Sequence, residues 1–130
     1  MRATIALARK QPHEAAAALR NVSYELGSPP NGGLFLYPTY IRGAAYLAAH
    51  QGKEAAAEFQ KILDHRGIVL NCPLGSLAHL QIARAYSIQG DTSSARKAYQ
   101  DFLALWQHAD SDIPIYKQAK AEYARLSARN

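Results

Sequence analysis

His13-Glu14 begins like the helix of a zinc protease, where two histidines one turn apart hold the metal and the intervening Glu is the general base. The second histidine would stand at position 17, which is Ala17, so this chemistry is excluded. The remaining histidines, His50, His65, His79 and His108, have no metal-ligand spacing with one another or with Cys72. Asp110 and Asp112 offer too few ligands for a cation and suit a turn and helix cap instead. Cys72, near His65 and Asp64, could be drawn as a nucleophile set. With no third group or oxyanion element in view, a lone Cys before Pro73 reads as a small apolar residue. No GxGxxG or GxxxxGK loop is present to cradle a phosphate. The sequence therefore predicts no catalytic residue, no metal and no cofactor.

The elements that could position a binding surface are clearer. The chain has 130 residues, 48% of them hydrophobic and 19% charged, which fits one globular domain over 1–130 rather than a disordered segment. Alanine is common and β-branched residues are sparse, which favours helix. The single cysteine rules out an intrachain disulfide and points to a cytoplasmic setting. No apolar run approaches the roughly 20 residues of a membrane helix. The N-terminal stretch, with Arg9 closing a short apolar segment, makes a poor secretion signal. Asn21-Val22-Ser23 is a glycosylation sequon by accident of spelling, placed inside a predicted helix. A formal charge of +5 raises nucleic acid as an alternative partner, but acids interleave with the bases instead of leaving one basic face.

A shift of 40 residues lays the chain on itself. Ala15, Ala55 and Ala95 fall in register, as do Ala3, Gly43 and Ala83. Leu19, Phe59 and Tyr99 follow the same spacing, and so, less strictly, do Ala6, Tyr46 and Tyr86. Small residues at two fixed places and large ones at two others are the mark of stacked helical hairpins, each burying its apolar face on the next copy. The small residues mark close helix crossings. Tyr46 and Tyr86 would fill the gap beside them, and Leu19, Phe59 and Tyr99 would wedge against the following hairpin. Val22, Ile62 and Phe102 extend that apolar face.

Breakers and caps divide the chain accordingly. Helices are expected over 3–8, 12–24, 38–50, 53–64, 76–89, 92–108 and 115–127. The Gly- and Pro-rich run 25–33 and the connector 65–75 lie between them. Asp91 is placed to cap the helix that follows Gly90. Ile115, Ala119, Tyr123 and Leu126 form the buried stripe of the last helix.

The third copy, Ala83-Arg84-Ala85-Tyr86, Gly90-Asp91, Ala95 and Tyr99, resembles the tetratricopeptide repeat. In the second copy, with Gly43, Tyr46, Ala55 and Phe59, His50 occupies the turn position and Gly52 is displaced. The first copy keeps Ala3, Ala6, Ala15 and Leu19. The period departs from the family's usual length of about 34, with longer connectors absorbing the excess. The resemblance implies an all-α antiparallel helical-hairpin solenoid. It would hold about three repeats, over 1–24, 36–64 and 76–108, and a capping helix over 113–128. Segments 24–47, 58–71 and 110–126 also resemble the repeat tails of large bacterial serine/threonine kinases and winged-helix regulators, although no kinase motif is present. The role so implied is a non-catalytic protein-interaction or scaffold module, such as the sensor or assembly tail of such a regulator. The register also leads us to expect the first helix to begin upstream of Met1, as in a piece of a longer chain.

In such repeats the first helix of each hairpin lines a groove for an extended peptide. Here that face would carry Tyr37, Tyr40, Ala44 and Leu47 from the second copy and Leu77, Leu80, Arg84 and Ser87 from the third. The bland alternative is that these side chains pack inside the connectors. Arg84 stands without the Lys and Asn partners of a carboxylate clamp. At the N-terminal end, Ile5, Leu7, Leu19 and Val22 have no polar cap, which predicts self-association into a twofold dimer. The register makes its own prediction: Ala95→Leu overpacks a helix crossing and costs about 1–3 kcal/mol. An unchanged melting temperature would sink the alignment.

Overall fold

The computed structural model describes residues 2–20, 36–65 and 73–129. They form seven helices and, among the described residues, no strand. These are α1 (Arg2–Ala8), α2 (Pro12–Ala18), α3 (Tyr37–Ala48), α4 (Gly52–Asp64), α5 (Pro73–Gln89), α6 (Thr92–Leu105) and α7 (Pro114–Ala128). Each helix packs mainly on its sequence neighbours, giving the hairpins α1–α2, α3–α4 and α5–α6. Helices α1, α3 and α5 also touch in series and form one layer, backed by α2, α4 and α6.

The expected boundaries move at three places. Helix α2 ends at a Leu19 cap, and residues 21–24 of its expected span lie outside the described residues. Helix α5 starts at Pro73 rather than Ser76, because proline's fixed φ and missing N–H suit a first helical turn; the Ser76 hydroxyl donates back to the Pro73 carbonyl at 2.9 Å. Helix α6 stops at Leu105, short of His108. The Asp91 cap forms as expected, its Oδ1 accepting from Ser94 N–H at 3.1 Å.

The three hairpins share one turn. Lys10, His50 and Gly90 have φ of 59°, 59° and 78°, so each copy places a left-handed residue at the same register position. The bonds repeat as well. Gln11, Gln51 and Asp91 N–H donate to the carbonyls of Ala6, Tyr46 and Tyr86, and Lys10, His50 and Gly90 N–H to those of Leu7, Leu47 and Ser87. This is the Schellman closure, which satisfies the last carbonyls of the first helix and aims the chain into the second. Only the third copy has the residue that adopts φ > 0 without strain.

The small residues sit at the crossings. Ala15, Ala55, Ala83 and Ala95 are fully buried, and Ala3 nearly so. A Cβ on Gly43 would lie 2.8 Å from the Phe59 ring. Phe59, not Tyr46, therefore fills the space over Gly43, within its own hairpin. Gly52 is not a displaced turn residue. A Cβ there would lie 2.6 Å from the backbone carbonyl of Ala85, so this glycine lets α4 start against α5. The largest fully buried side chains, Phe59, Phe102, Leu36, Ile62 and Leu80, form the main core between the second and third hairpins. A smaller cluster of Ala3, Ala6, Ala15, Ile41 and Ala45 joins the first hairpin to α3.

A Cβ at Gly90 meets nothing within 4 Å, so Gly90→Ala tests the backbone alone. It should lose about 1 kcal/mol of stability, and His50→Gly should gain about the same by relieving a left-handed residue. Chemical denaturation of both variants checks the pair; effects of the same sign would contradict the shared turn.

Candidate functional site

The residues expected to line a groove divide into two groups. Leu80 is fully buried in the main core, which corrects its expected place on an open face. Position 80 shares a side of α5 with Leu77 and Arg84, so it is the packing of neighbouring helices, and not the helical period, that seals Leu80 while Leu77, Gln81 and Arg84 stay half-buried. On α3, Tyr37 is 46% exposed. Tyr40 and Leu47 are half-buried against the core, with the Tyr40 ring edge-on to Phe59 at 5.5 Å.

Tyr40 and Arg84 belong to a polar chain that crosses the layer. Gln81 Nε2 donates to the Tyr40 hydroxyl at 3.0 Å, and Arg84 Nη1 donates to Gln81 Oε1 at 3.4 Å. Arg84 then forks onto Glu122 of α7, through Nε to Oε2 and Nη2 to Oε1, both at 2.9 Å. The Tyr99 hydroxyl of α6 donates to the same Oε2 at 2.8 Å. One acid thus gathers α5, α6 and α7. Burial opposes the charge on Glu122, yet Arg84 and Tyr99 together hold its carboxyl below the usual range. Burial likewise opposes the charge on Arg84, but Glu122 outweighs it and raises the guanidinium. Burial, then the bond to Glu122, pushes the Tyr99 hydroxyl above its ordinary value.

Helix α7 therefore seats beside Arg84, with aromatic support. Trp106 stacks between Phe102 at 5.2 Å and Tyr116 at 6.3 Å, and Gln100 Nε2 donates to the Tyr123 hydroxyl at 2.9 Å. Between α5, α6 and α7 lies a cleft of 340 Å³ lined by Ser87, Tyr99, Glu122, Arg125, Leu126 and Arg129. Sequence reasoning missed Glu122 because it read the last helix by its apolar residues. The signal was there: Ile115, Ala119, Glu122 and Leu126 follow the spacing of a buried face, so the acid stands within it.

A second charged group ties the first hairpin to the second. Arg42 Nη1 donates to the Leu19 carbonyl at the end of α2, at 2.7 Å. Its Nη2 lies 2.9 Å from Glu58 Oε2 as an ion pair rather than an aligned hydrogen bond, and Lys61 Nζ donates to Oε1 at 3.0 Å. Of the residues expected to self-associate, Ile5 is 45% exposed, Leu7 and Leu19 are half-buried, and Val22 lies outside the described residues. No group of His, Cys, Asp and Glu among the described residues could hold a metal, and none of their helices is long and apolar enough to cross a membrane. Cys72 lies outside the described residues.

No family model and no solved structure matches the chain. It is similar to curated relatives bearing the description chaperone protein YscY. The one from Yersinia enterocolitica serotype O:8 is 34% identical over 83 residues, covering 60% of this chain and 68% of that protein. The one from Yersinia pestis gives the same identity and coverage.

Because the folded Glu122 titrates below its unfolded value of about 4.3, the stability it lends α7 is present above that pH and is lost as pH falls through the folded value. Trp106, the only tryptophan, reports on α7 through Tyr116. Its fluorescence should show an acid transition in that range. Glu122→Gln should remove the transition and loosen α7 by about 1–3 kcal/mol at neutral pH. Superimposable titrations of variant and parent would exclude the latch.

Proposed function

The chain belongs to the family of the chaperone protein YscY, and from that premise we propose that it is itself a chaperone, a non-catalytic protein that holds a segment of a client protein. The kinship, at 34% identity over 68% of the relative's length, is the observation that carries this reading. A chaperone works by binding rather than by chemistry, so the protein is not an enzyme. The resemblance to kinase and regulator tails has short residue segments behind it and nothing further, so a chaperone is favoured over a sensor or assembly tail.

The tetratricopeptide identity belongs to this proposal, with three repeats near 1–24, 36–64 and 76–108 and a capping helix near 113–128. The left-handed turns at Lys10, His50 and Gly90 support it. The client face is the layer of α3 and α5. Exposed Tyr37 and half-buried Leu77 are its apolar anchors, flanked by Tyr40 and Leu47. Arg84 is already committed to Glu122, so it stiffens the wall of the site instead of gripping a client carboxylate. The polar chain from Tyr40 to Arg84 gives an extended backbone a hydrogen-bonding edge beside the apolar anchors. The competing nucleic-acid reading rests on the +5 charge alone.

Affinity capture from the native host with the immobilised chain tests the proposal. One protein should be retained in stoichiometric amount at physiological salt. Replacing both Tyr37 and Leu77 by Ala should remove it while far-UV helicity is unchanged. Equal capture by the variant moves the client elsewhere. Retention of DNA with a steep salt slope, and of no protein, would favour the alternative.

A further inference from the structure

A buried polar side-chain atom without a hydrogen bond marks a place where the folded chain is incomplete. Among the described residues two atoms are in that position, Glu58 Oε2 and Arg96 Nε. Glu58 has its counter-ion, since the Arg42 guanidinium lies 2.9 Å away. Arg96, on α6, has no hydrogen bond and no ion pair among the described residues. The acids nearest to it in sequence are engaged elsewhere. Asp91 Oδ1 accepts from Ser94 N–H at 3.1 Å, and Asp101 lies 3.1 Å from Lys97 Nζ.

The forty-residue register shows that this cation is particular to the third copy. Ala16 and Ala56 stand where α6 has Arg96, and Ala17 and Ala57 where it has Lys97. Thr92 replaces Gly52, the residue that lets α4 start against the Ala85 carbonyl, and Ala56 packs on the main core. In the third copy Thr92, Ser93, Arg96, Lys97 and Gln100 instead line a cleft of 480 Å³ along α6.

We propose that this cleft binds an oxyanion group, the phosphate of a monoester or a carboxylate, with Arg96 as the residue that grips it. The guanidinium offers N–H donors in a planar fork that fits either group, and Nε is already withdrawn from solvent without an acceptor. The Thr92 and Ser93 hydroxyls stand one turn back on the same face, and Lys97 one residue on. Gln100 closes the other end, its Nε2 held by the Tyr123 hydroxyl at 2.9 Å. Charge selects the occupant, because a neutral or cationic ligand leaves Arg96 without a counter-ion. The cleft belongs to α6 and not to the client layer of α3 and α5, so it stands apart from the chaperone reading.

The test titrates the full, isotope-labelled chain with inorganic phosphate and, separately, with acetate, the ionic strength being held constant with sodium chloride. At least one of the two should saturate, shift the amide resonances from Thr92 to Gln100 and raise the melting temperature. Tighter binding of phosphate assigns a phosphate monoester, and tighter binding of acetate a carboxylate. Arg96→Ala installs the residue of the other two copies, so it should fold as the parent does, yet it should weaken binding about tenfold and abolish the rise in melting temperature. Asp101→Asn releases Lys97 and should tighten binding about threefold. Lys117→Ala removes an exposed cation from α7 and should bind as the parent does. A response to both anions that never saturates, shifts centred outside α6, or equal affinity of Arg96→Ala would overturn the proposal, the anion then being an adventitious ion only and Arg96 satisfied by water.

Discussion

The close approach of paired helices at small residues is the constraint on which the rest of this structure depends. The Phe59 ring occupies the volume a side chain at Gly43 would need, Ala3 and Ala83 are buried at the equivalent position of the other hairpins, and Ala15, Ala55 and Ala95 are sealed on the facing helices. Helices that meet through alanine bury little apolar area at the crossing itself. The burial falls instead to a few large side chains on either side, Phe59, Ile62, Leu80 and Phe102 among them, and to the contact of each hairpin with the next. Close crossing therefore makes stacking necessary, and stacking orders the chain into two layers.

Between layers, charge does what apolar packing leaves undone. Arg42 pairs with Glu58 within the second hairpin and donates to the Leu19 carbonyl of the first, and Arg84 with Glu122 joins α5 to α7. A buried ion pair contributes little net stability, because desolvation offsets most of its attraction, but leaving one partner alone is costly. Such pairs act mainly on specificity. They penalise any packing that slides α3 along α2 or α7 along α5, a real hazard where alanine-rich surfaces offer several near-equivalent registers. At Glu122 the geometry is bidentate and a third group, Tyr99, completes it, so the position of α7 is set to within a hydrogen bond.

The repeat was legible because close crossings admit only Gly or Ala, and that restriction survives in a single sequence as a spacing. The cap at Asp91 was legible for a similar reason, since few side chains accept from free backbone N–H groups. Three features were not. Gly52 looked like a turn residue because glycine serves both turns and close approaches, and only the distance to Ala85 separates the two. His50 in a left-handed turn leaves no sequence signal beyond its register with Gly90. Leu80 shares its helix face with Leu77 and Arg84, so spacing alone does not tell that neighbouring helices close over it. Glu122 marks the general difficulty: a half-buried acid is found by reading polar residues within an apolar stripe, whereas stripes are usually read for what is apolar.

The first and last described hairpins are covered differently, and this follows from the same register. At the C-terminal end α7 covers the third hairpin with an aromatic contact through Trp106 and an acid that reaches back to Arg84. The first hairpin turns outward the surface that each later hairpin uses to receive its predecessor, with Arg2 and Ile5 open where Arg42, Ala45, Ile82 and Ala85 are covered. An inner repeat is constrained on both sides and can vary only where its exposed helix faces the client layer. Exposed Tyr37 thus stands on an inner repeat and exposed Ile5 on the first hairpin, so the two are not parts of one repeat's surface.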